Sequence, residues 1–464
     1  MSSSSQLHHT LFRILLYRND ASEILVEATP QGFRLPILSV PAHSREAEGI
    51  TAAIRISWNL ETYGLFRLSA GVSPHPFVHD YIVETCQPDK PPPDRMEWLS
   101  DGSLSGKAFQ SPSDVAAIEN SLRVLDQYRR DELPGSFGKP GWLRVVTEWV
   151  EAQSAAAGLH LTGAVRQFNA SPTFSLIRFA TDGPALWFKA VGEPNLREFP
   201  ITCALAHLLP AYVLPLVATR ADWNAWLTSE IQGTHPDADA GLDTWVTVAR
   251  TLAALQVASH GTTLHLLNAG CHDTRISNLA EMVDPFLEVV AGLMEQQNTS
   301  CPSRLSAKEL LALGSHLRKI FRHLAHSSIP SALSHLDLNP GNILLSGSQC
   351  VFLDWAEACV GQPFVAFEYL LEHLRKLRPG HPWEAQLAGA YAQRWRSLID
   401  TDTIAEAMAA APLLAVFTCA VAGGTWRDTY RRSRPEIAAL LRSLTRRMKR
   451  EVTGLEARRV PCLS

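Results

Sequence analysis

The residues best suited to chemistry lie in one stretch, SHLDLNPGNILLSGSQCVFLDWAEA, which begins at Ser334. It holds Asp337, Asn342 and Asp354, three side chains with hard oxygen atoms. The apolar runs Ile343 to Leu345 and Val351 to Leu353 flank Ser346-Gly347-Ser348 and predict a short hairpin. Asp337 and Asn342 precede its first strand and Asp354 follows its second, so the three oxygen ligands converge at one edge. That set suits phosphoryl transfer, which needs a carboxylate to orient and deprotonate an acceptor hydroxyl and oxygen ligands to hold magnesium on a triphosphate. Asp337 and Asn342 lie two and seven residues after His335, and a given His acquires an Asp and an Asn at these offsets by chance on the order of once in several hundred. Among 17 His residues a random match is therefore rare.

These side chains must be carried by a folded body. The chain has 464 residues, 46% hydrophobic and 19% charged, which excludes a mainly disordered polymer and predicts two or three packed units. Lys plus Arg total 42 against 46 Asp plus Glu, so no global positive field draws the chain to nucleic acid. The basic run Arg442 to Arg450 lies on a helical pattern and reads as a solvated face. Eight scattered cysteines show no zinc spacing, and His316, His323 and His326 lack ligand partners for a metal site. The start MSSSSQLHHT has no basic segment followed by an apolar run, which makes the cytoplasm the expected compartment. Ala407 to Gly424 is uncharged and nearly long enough to span a bilayer, but Pro412 and its alanines favour a buried core helix over a membrane segment.

Short apolar runs at Leu11 to Leu16, Glu23 to Ala28 and Gly32 to Val40, then an amphipathic pattern over Ser44 to Trp58, predict a small α/β domain over residues 1–85. Residues 86–140, with Pro91-Pro92-Pro93 and one helical pattern, read as a linker. Strands at Thr173 to Phe179 and Ala185 to Val191 place a β-rich lobe over 141–233. Helical periodicity from Asp243 onward places a large helical lobe over 234–464. The fold class expected is α+β, two lobes with a cleft between them plus the additional N-terminal domain.

The motifs HLDLNPGNILL and FLDWAEACVGQP resemble the aminoglycoside phosphotransferase and choline kinase branch of the protein-kinase-like fold, over roughly residues 140–455. The resemblance implies an ATP- and Mg2+-dependent small-molecule kinase in which Asp337 is the catalytic base and Asn342 and Asp354 bind the metal. It makes Lys189, ending the strand Ala185 to Lys189, the cation on the nucleotide phosphates, with Glu198 as its carboxylate partner. The plainer alternatives are an exposed lysine and a glutamate favoured by a helix N-terminus. Trp226 to Gly233 resembles the interlobe connection, whose Glu230, Ile231 and Gln232 would receive adenine. Arg166 to Thr173 reads as the loop before the first strand of the small lobe, without a glycine. Leu336 and Gln362 stand where the family often has Gly and Asp.

His335 reads as a hydrogen-bonding residue of the loop rather than a base. Glu357 is either near the metal or simply exposed, and Glu368 and Glu372 either line an acceptor pocket or form a solvated face. The N-terminal region weakly resembles a Nudix-type fold, but its helix carries only Glu46 and Glu48 before Ala52, Ala53, Ile54 and Arg55. It is therefore expected to be noncatalytic, its protein partner unknown. The expected acceptor is a small hydroxylated molecule, with no nucleic-acid or membrane partner. The alternative is a pseudokinase-like protein that binds a nucleotide or a partner without turnover.

Overall fold

A computed structural model describes residues 9–42, 44–68, 78–100, 102 and 107–457. Contacts divide the chain into two compact units, residues 1–199 with 215–230, and residues 200–214 with 231–464.

The first unit holds two sheets. One comprises β1 (His9–Arg18), β2 (Glu23–Thr29), β3 (Gly32–Arg34), β4 (Ile37–Pro41), β5 (Thr62–Arg67), β6 (Val78–Thr85) and β7 (Met96–Ser100), with α1 (Glu46–Trp58) between β4 and β5. Its path is β3-β2-β1-β6-β5, with β4 on β1 and β7 on β2; only β1 and β6 run parallel. Alternation along β1 splits its side chains between two cores: Phe12, Ile14 and Leu16 pack with Ile50 and Ile54 of α1, whereas Leu15 and Tyr17 point the other way.

That second core is shared. It joins Leu15, Tyr17 and Val26 to α2 (Pro112–Arg129) through Ile118 and Leu125, and to α3 (Trp142–Ala156) through Val146 and Val150. From there it runs into the second sheet through Ile177, Phe179, Leu186 and Phe188. Residues 86–140, expected to be a linker with one helix, hold that helix as α2 and add strand β7, and both join this packing. Buried Arg13, held within the sheet by a bidentate pair with Asp80 of β6 (2.6 and 2.9 Å), fastens α2 by a bond to Asp114 (2.9 Å). Proline runs hid this because the anchoring is done by partners about a hundred residues away.

The second sheet is antiparallel throughout, in the order β11-β12-β10-β9-β8, from β8 (Leu161–Ala170), β9 (Ser175–Thr181), β10 (Leu186–Ala190), β11 (Leu216–Arg220) and β12 (Ala225–Ser229). Most of Arg166 to Thr173, read from sequence as a loop, is thus the end of strand β8. Helix α4 (Glu198–Leu208) begins in this unit and continues into the second.

The second unit is mainly helical: α5 (Leu242–Ser259), α6 (Thr263–Asn268), α7 (Ile276–Glu295), α8 (Ala307–Ala325), α9 (Phe364–Leu377), α10 (Glu384–Trp395), α11 (Thr401–Val421), α12 (Thr429–Arg432) and α13 (Pro435–Ala457). Inserted among them are β13 (His272–Thr274), β14 (Ala332–His335) and β17 (Ala358–Gly361), which form one small sheet, and the hairpin of β15 (Ile343–Ser346) and β16 (Gln349–Phe352). The apolar helix α11 is a core element: 67% of its most hydrophobic window is buried, against α7, α8 and α13 through residues such as Phe417 and Leu414. The basic run on α13 is not simply solvated. Arg442 donates to Leu293 O, Arg446 to Ser303 O, and Arg447 and Lys449 pair with Glu372 and Glu309, so these cations tie α13 to its neighbours. Cys350 and Cys359 are buried, and desolvation pushes both thiols up to about 12.

Candidate active site

The loop between β14 and β15 is built around Asp337. The Asn342 Nδ2 donates to the Asp337 carbonyl oxygen (2.9 Å) and to Asp337 Oδ2 (3.1 Å), and the Asn339 Nδ2 donates to Asp337 Oδ1 (2.9 Å). Both carboxylate oxygens are therefore held by amide donors from their own loop. Asn339, not singled out from sequence, also accepts from Gly341 N–H (2.9 Å) and fixes the turn that returns the chain to β15.

The hairpin brings in Asp354. Its register pairs Ile343 with Phe352, and one step further the Leu353 N–H donates to Asn342 O at 2.9 Å. Asp354 follows directly in the chain, with φ 59° and ψ 74°, a left-handed conformation that Asp and Asn adopt more readily than other non-glycine residues. Gly347 supplies the positive φ (57°) that the two-residue hairpin turn requires.

His335 links the two halves. Its Nδ1 accepts the Asp337 N–H (3.2 Å) and its Nε2 lies 2.9 Å from Leu353 O, which fixes a neutral ring protonated at Nε2. The residue is 1% exposed and packs on buried Trp355. Burial depresses its pKa against the opposing pull of the Leu353 carbonyl, Asp337 and Asp354. Gln362 is buried as well, its Oε1 accepting the Phe364 N–H (3.0 Å) at the start of α9.

Of the outlying carboxylates, Glu357 is exposed. Glu368 is not on a solvated face: it is buried against Arg375 (2.6 Å), and desolvation raises its pKa. Helix α9 packs against α11 on that side, which a local helical pattern does not reveal. Glu372 pairs with Arg447.

In the first unit, Lys189 lies on β10 and its Nζ meets Glu198 Oε1 at 2.5 Å, the lysine side chain 15% exposed and the glutamate 2%. The ammonium also lies 5.6 Å from the centroid of the Trp226 ring. Strand alternation sets Trp187 on the same face as Lys189. Trp187 packs against Phe168 of β8 (4.8 Å) and donates from Nε1 to Glu230 Oε1 (2.9 Å), and Glu230 also receives a bidentate pair from Arg178 (2.7 and 2.8 Å). Phe168, Arg178 and Trp187 were not anticipated; period-2 alternation with Lys189 was the only local hint, and only for Trp187. The Glu230 N–H donates to Ala185 O (2.8 Å). Ile231 is half-buried and Gln232 exposed, both within the second unit.

Glu46 and Glu48 on α1 pair with Arg67 and Arg166. Among the described residues no group of three or more His, Cys, Asp or Glu is arranged to hold a metal.

Residues 194–406 match the phosphotransferase enzyme family. Among solved structures, the chain is similar to macrolide 2'-phosphotransferase MphH from Brachybacterium faecium, at 20% identity and a TM-score of 0.41, over 63% of this chain and 97% of that one. It is similar to a choline/ethanolamine kinase family protein from Mesorhizobium loti at 14% identity and a TM-score of 0.45, over 68% and 98% of the two chains. For choline kinase LicA from Streptococcus pneumoniae the figures are 12%, 0.41, 67% and 98%. No curated protein matches the chain. The segment that matches this family carries both the Asp337 loop and the Asp354 hairpin.

Proposed function

We propose that the chain transfers the γ-phosphoryl group of ATP to a hydroxyl of a small molecule. The observation that carries this is the Asp337 carboxylate held on both oxygens by Asn339 and Asn342, with Asp354 one residue past Leu353, whose N–H donates to Asn342 O. Asp337 then acts as the base: it aligns the acceptor hydroxyl and takes its proton as the bond to the γ-phosphorus forms and the bond from that phosphorus to the bridging oxygen breaks, releasing ADP.

The residues fit magnesium. The Asn342 Nδ2 is committed to Asp337, which leaves Oδ1 for a cation, and Asp354 adds an exposed carboxylate. Two hard oxygens suit an ion that keeps much of its shell as water and phosphate oxygen. When bound, the metal would neutralise charge on the nucleotide's phosphates. Lys189, steadied by Glu198, contacts those phosphates, and the backbone of Ile231 and Gln232 receives the base, the Glu230 N–H being already engaged.

The test is a phosphate-transfer screen with ATP and magnesium across hydroxylated metabolites and antibiotics, with Asp337→Asn as the blank. Transfer above the blank supports the reading. Magnesium-dependent nucleotide binding with no transfer to any acceptor and no ADP release would replace it with a nucleotide-binding protein.

A further inference from the structure

Joining β8 to β9 is the turn Ser171 to Phe174, where the phosphate-facing loop of the proposed reaction falls. The β9–β10 register, which pairs Leu176 with Lys189 and Ser175 with Ala190, sets this turn just past the end of the Lys189 strand. The chain leaving that strand passes so close that a Cβ on Gly192 would lie 2.3 Å from the Cβ of Thr173.

The turn's own amides are already used. Ser171 N–H donates to Phe174 O (2.8 Å), while Thr173 and Phe174 N–H donate to Ser171 Oγ (3.4 and 2.9 Å); Pro172 has none to give. A glycine-rich loop cradles phosphate with backbone N–H groups. Here the donors left for phosphate are the hydroxyls of Ser171 and Thr173, and such a turn must be held in place.

The segment preceding α3 and the N-terminal sheet do the holding. At the tip, Phe137 N–H donates to Pro172 O at 3.0 Å. Gly135, at φ 125°, lies so near that a Cβ there would sit 2.3 Å from the same oxygen. At the base, Gln167 of β8 makes a reciprocal amide pair with Gly64 of β5, accepting its N–H (2.7 Å) and donating to its carbonyl (3.0 Å). This pair is buried and falls where the β5–β6 register shifts, so Gln167 occupies backbone groups the ladder leaves over.

We propose that this clamp makes Gly135 and Gln167 positioning residues for the nucleotide's phosphates, so that the N-terminal region serves the transfer reaction itself. The inference rests on the phosphotransferase reading above. It is tested in the full chain with Gly135→Ala, which drives a methyl into a backbone oxygen at a strained φ, and Gln167→Leu, which keeps bulk but loses both bonds. Ile54→Val, in the N-terminal sheet's other core, controls for loss of stability alone.

Both variants should raise the KM for ATP about tenfold while kcat and the acceptor KM stay near wild type, and should speed hydrogen exchange at the Thr173 and Phe174 amides. Ile54→Val should lower Tm and leave the ATP KM unmoved. Gln167→Leu decides the matter if Gly135→Ala does not fold. An active wild type whose ATP KM is unmoved in the folded variants, or moved equally by Ile54→Val, overturns the clamp alone. A wild type that neither binds nor consumes ATP overturns the phosphotransferase reading, and this role with it.

Discussion

Replacing Lys189 with methionine removes an ammonium from a carboxylate that is 2% exposed and 2.5 Å away. Removing one partner of a buried pair costs about 3–5 kcal/mol, because the remaining charge is left desolvated. Lys189 is itself 15% exposed, so water reaches one side of the gap, and about 2–3 kcal/mol is the expected loss. In a unit of this size that lowers Tm by about 4–12 °C. Glu198→Leu, which leaves the less buried ammonium, should cost less. Lys189→Met/Glu198→Leu should recover about 1–2 kcal/mol relative to the sum of the single losses, since either single change already removes the Lys189–Glu198 pair. Scanning calorimetry of the four proteins without nucleotide reads the cycle directly, and ATP titration of the same set asks whether the pair also orders the phosphate contact. Strict additivity of the single losses would refute the coupling, and unchanged ATP affinity in Lys189→Met would remove this lysine from the nucleotide site.

Asp337→Asn, which sets its own NH2 against one of the amide donors of Asn339 and Asn342, should lower kcat by about 10²- to 10⁴-fold and lower Tm by the loss of that hydrogen bond; turnover near wild type would exclude Asp337 as the base. Asp354→Ala should abolish magnesium-dependent nucleotide binding by titration calorimetry, whereas intact binding would move the metal elsewhere. His335 carries a pH signature. Its folded pKa is depressed by burial, so the unfolded chain binds the proton more tightly. Its contribution to stability is complete above the unfolded value of about 6.5 and is lost as pH falls towards the folded value. A plot of Tm against pH should therefore fall on the acid side of that value, and His335→Gln should flatten the fall; parallel curves would refute the assignment.

The Asp337 to Asp354 hairpin and the long helices were legible because their signals are local: a fixed motif spacing and a 3.6-residue apolar period. Helix α5 begins one residue before Asp243, where the helical period was expected to start. What escaped depends on partners remote in sequence. Strand β8 is exposed along most of its length, so Leu161 to Gln167 shows no inward and outward alternation, and its place is fixed by β9 and by Gly64. Strand β7 follows a proline run and exists through β2. Trp226 was read into an interlobe connection, yet it pairs with Lys189 in mid-sheet. Arg446 and Lys449 look like solvent-facing charge until Ser303, between α7 and α8, and Glu309 of α8 supply their acceptors.

The apolar interior common to both sheets of the first unit bears on how such a chain can be rearranged. Cutting near residue 140 would strip Ile177, Phe179, Leu186 and Phe188 of Leu15, Tyr17, Ile118 and Leu125, and would leave both fragments with a wet, greasy face. The N-terminal region is thus no detachable cargo. Transplanting it onto another catalytic body, or trimming it for convenience, should yield insoluble pieces rather than a smaller working protein.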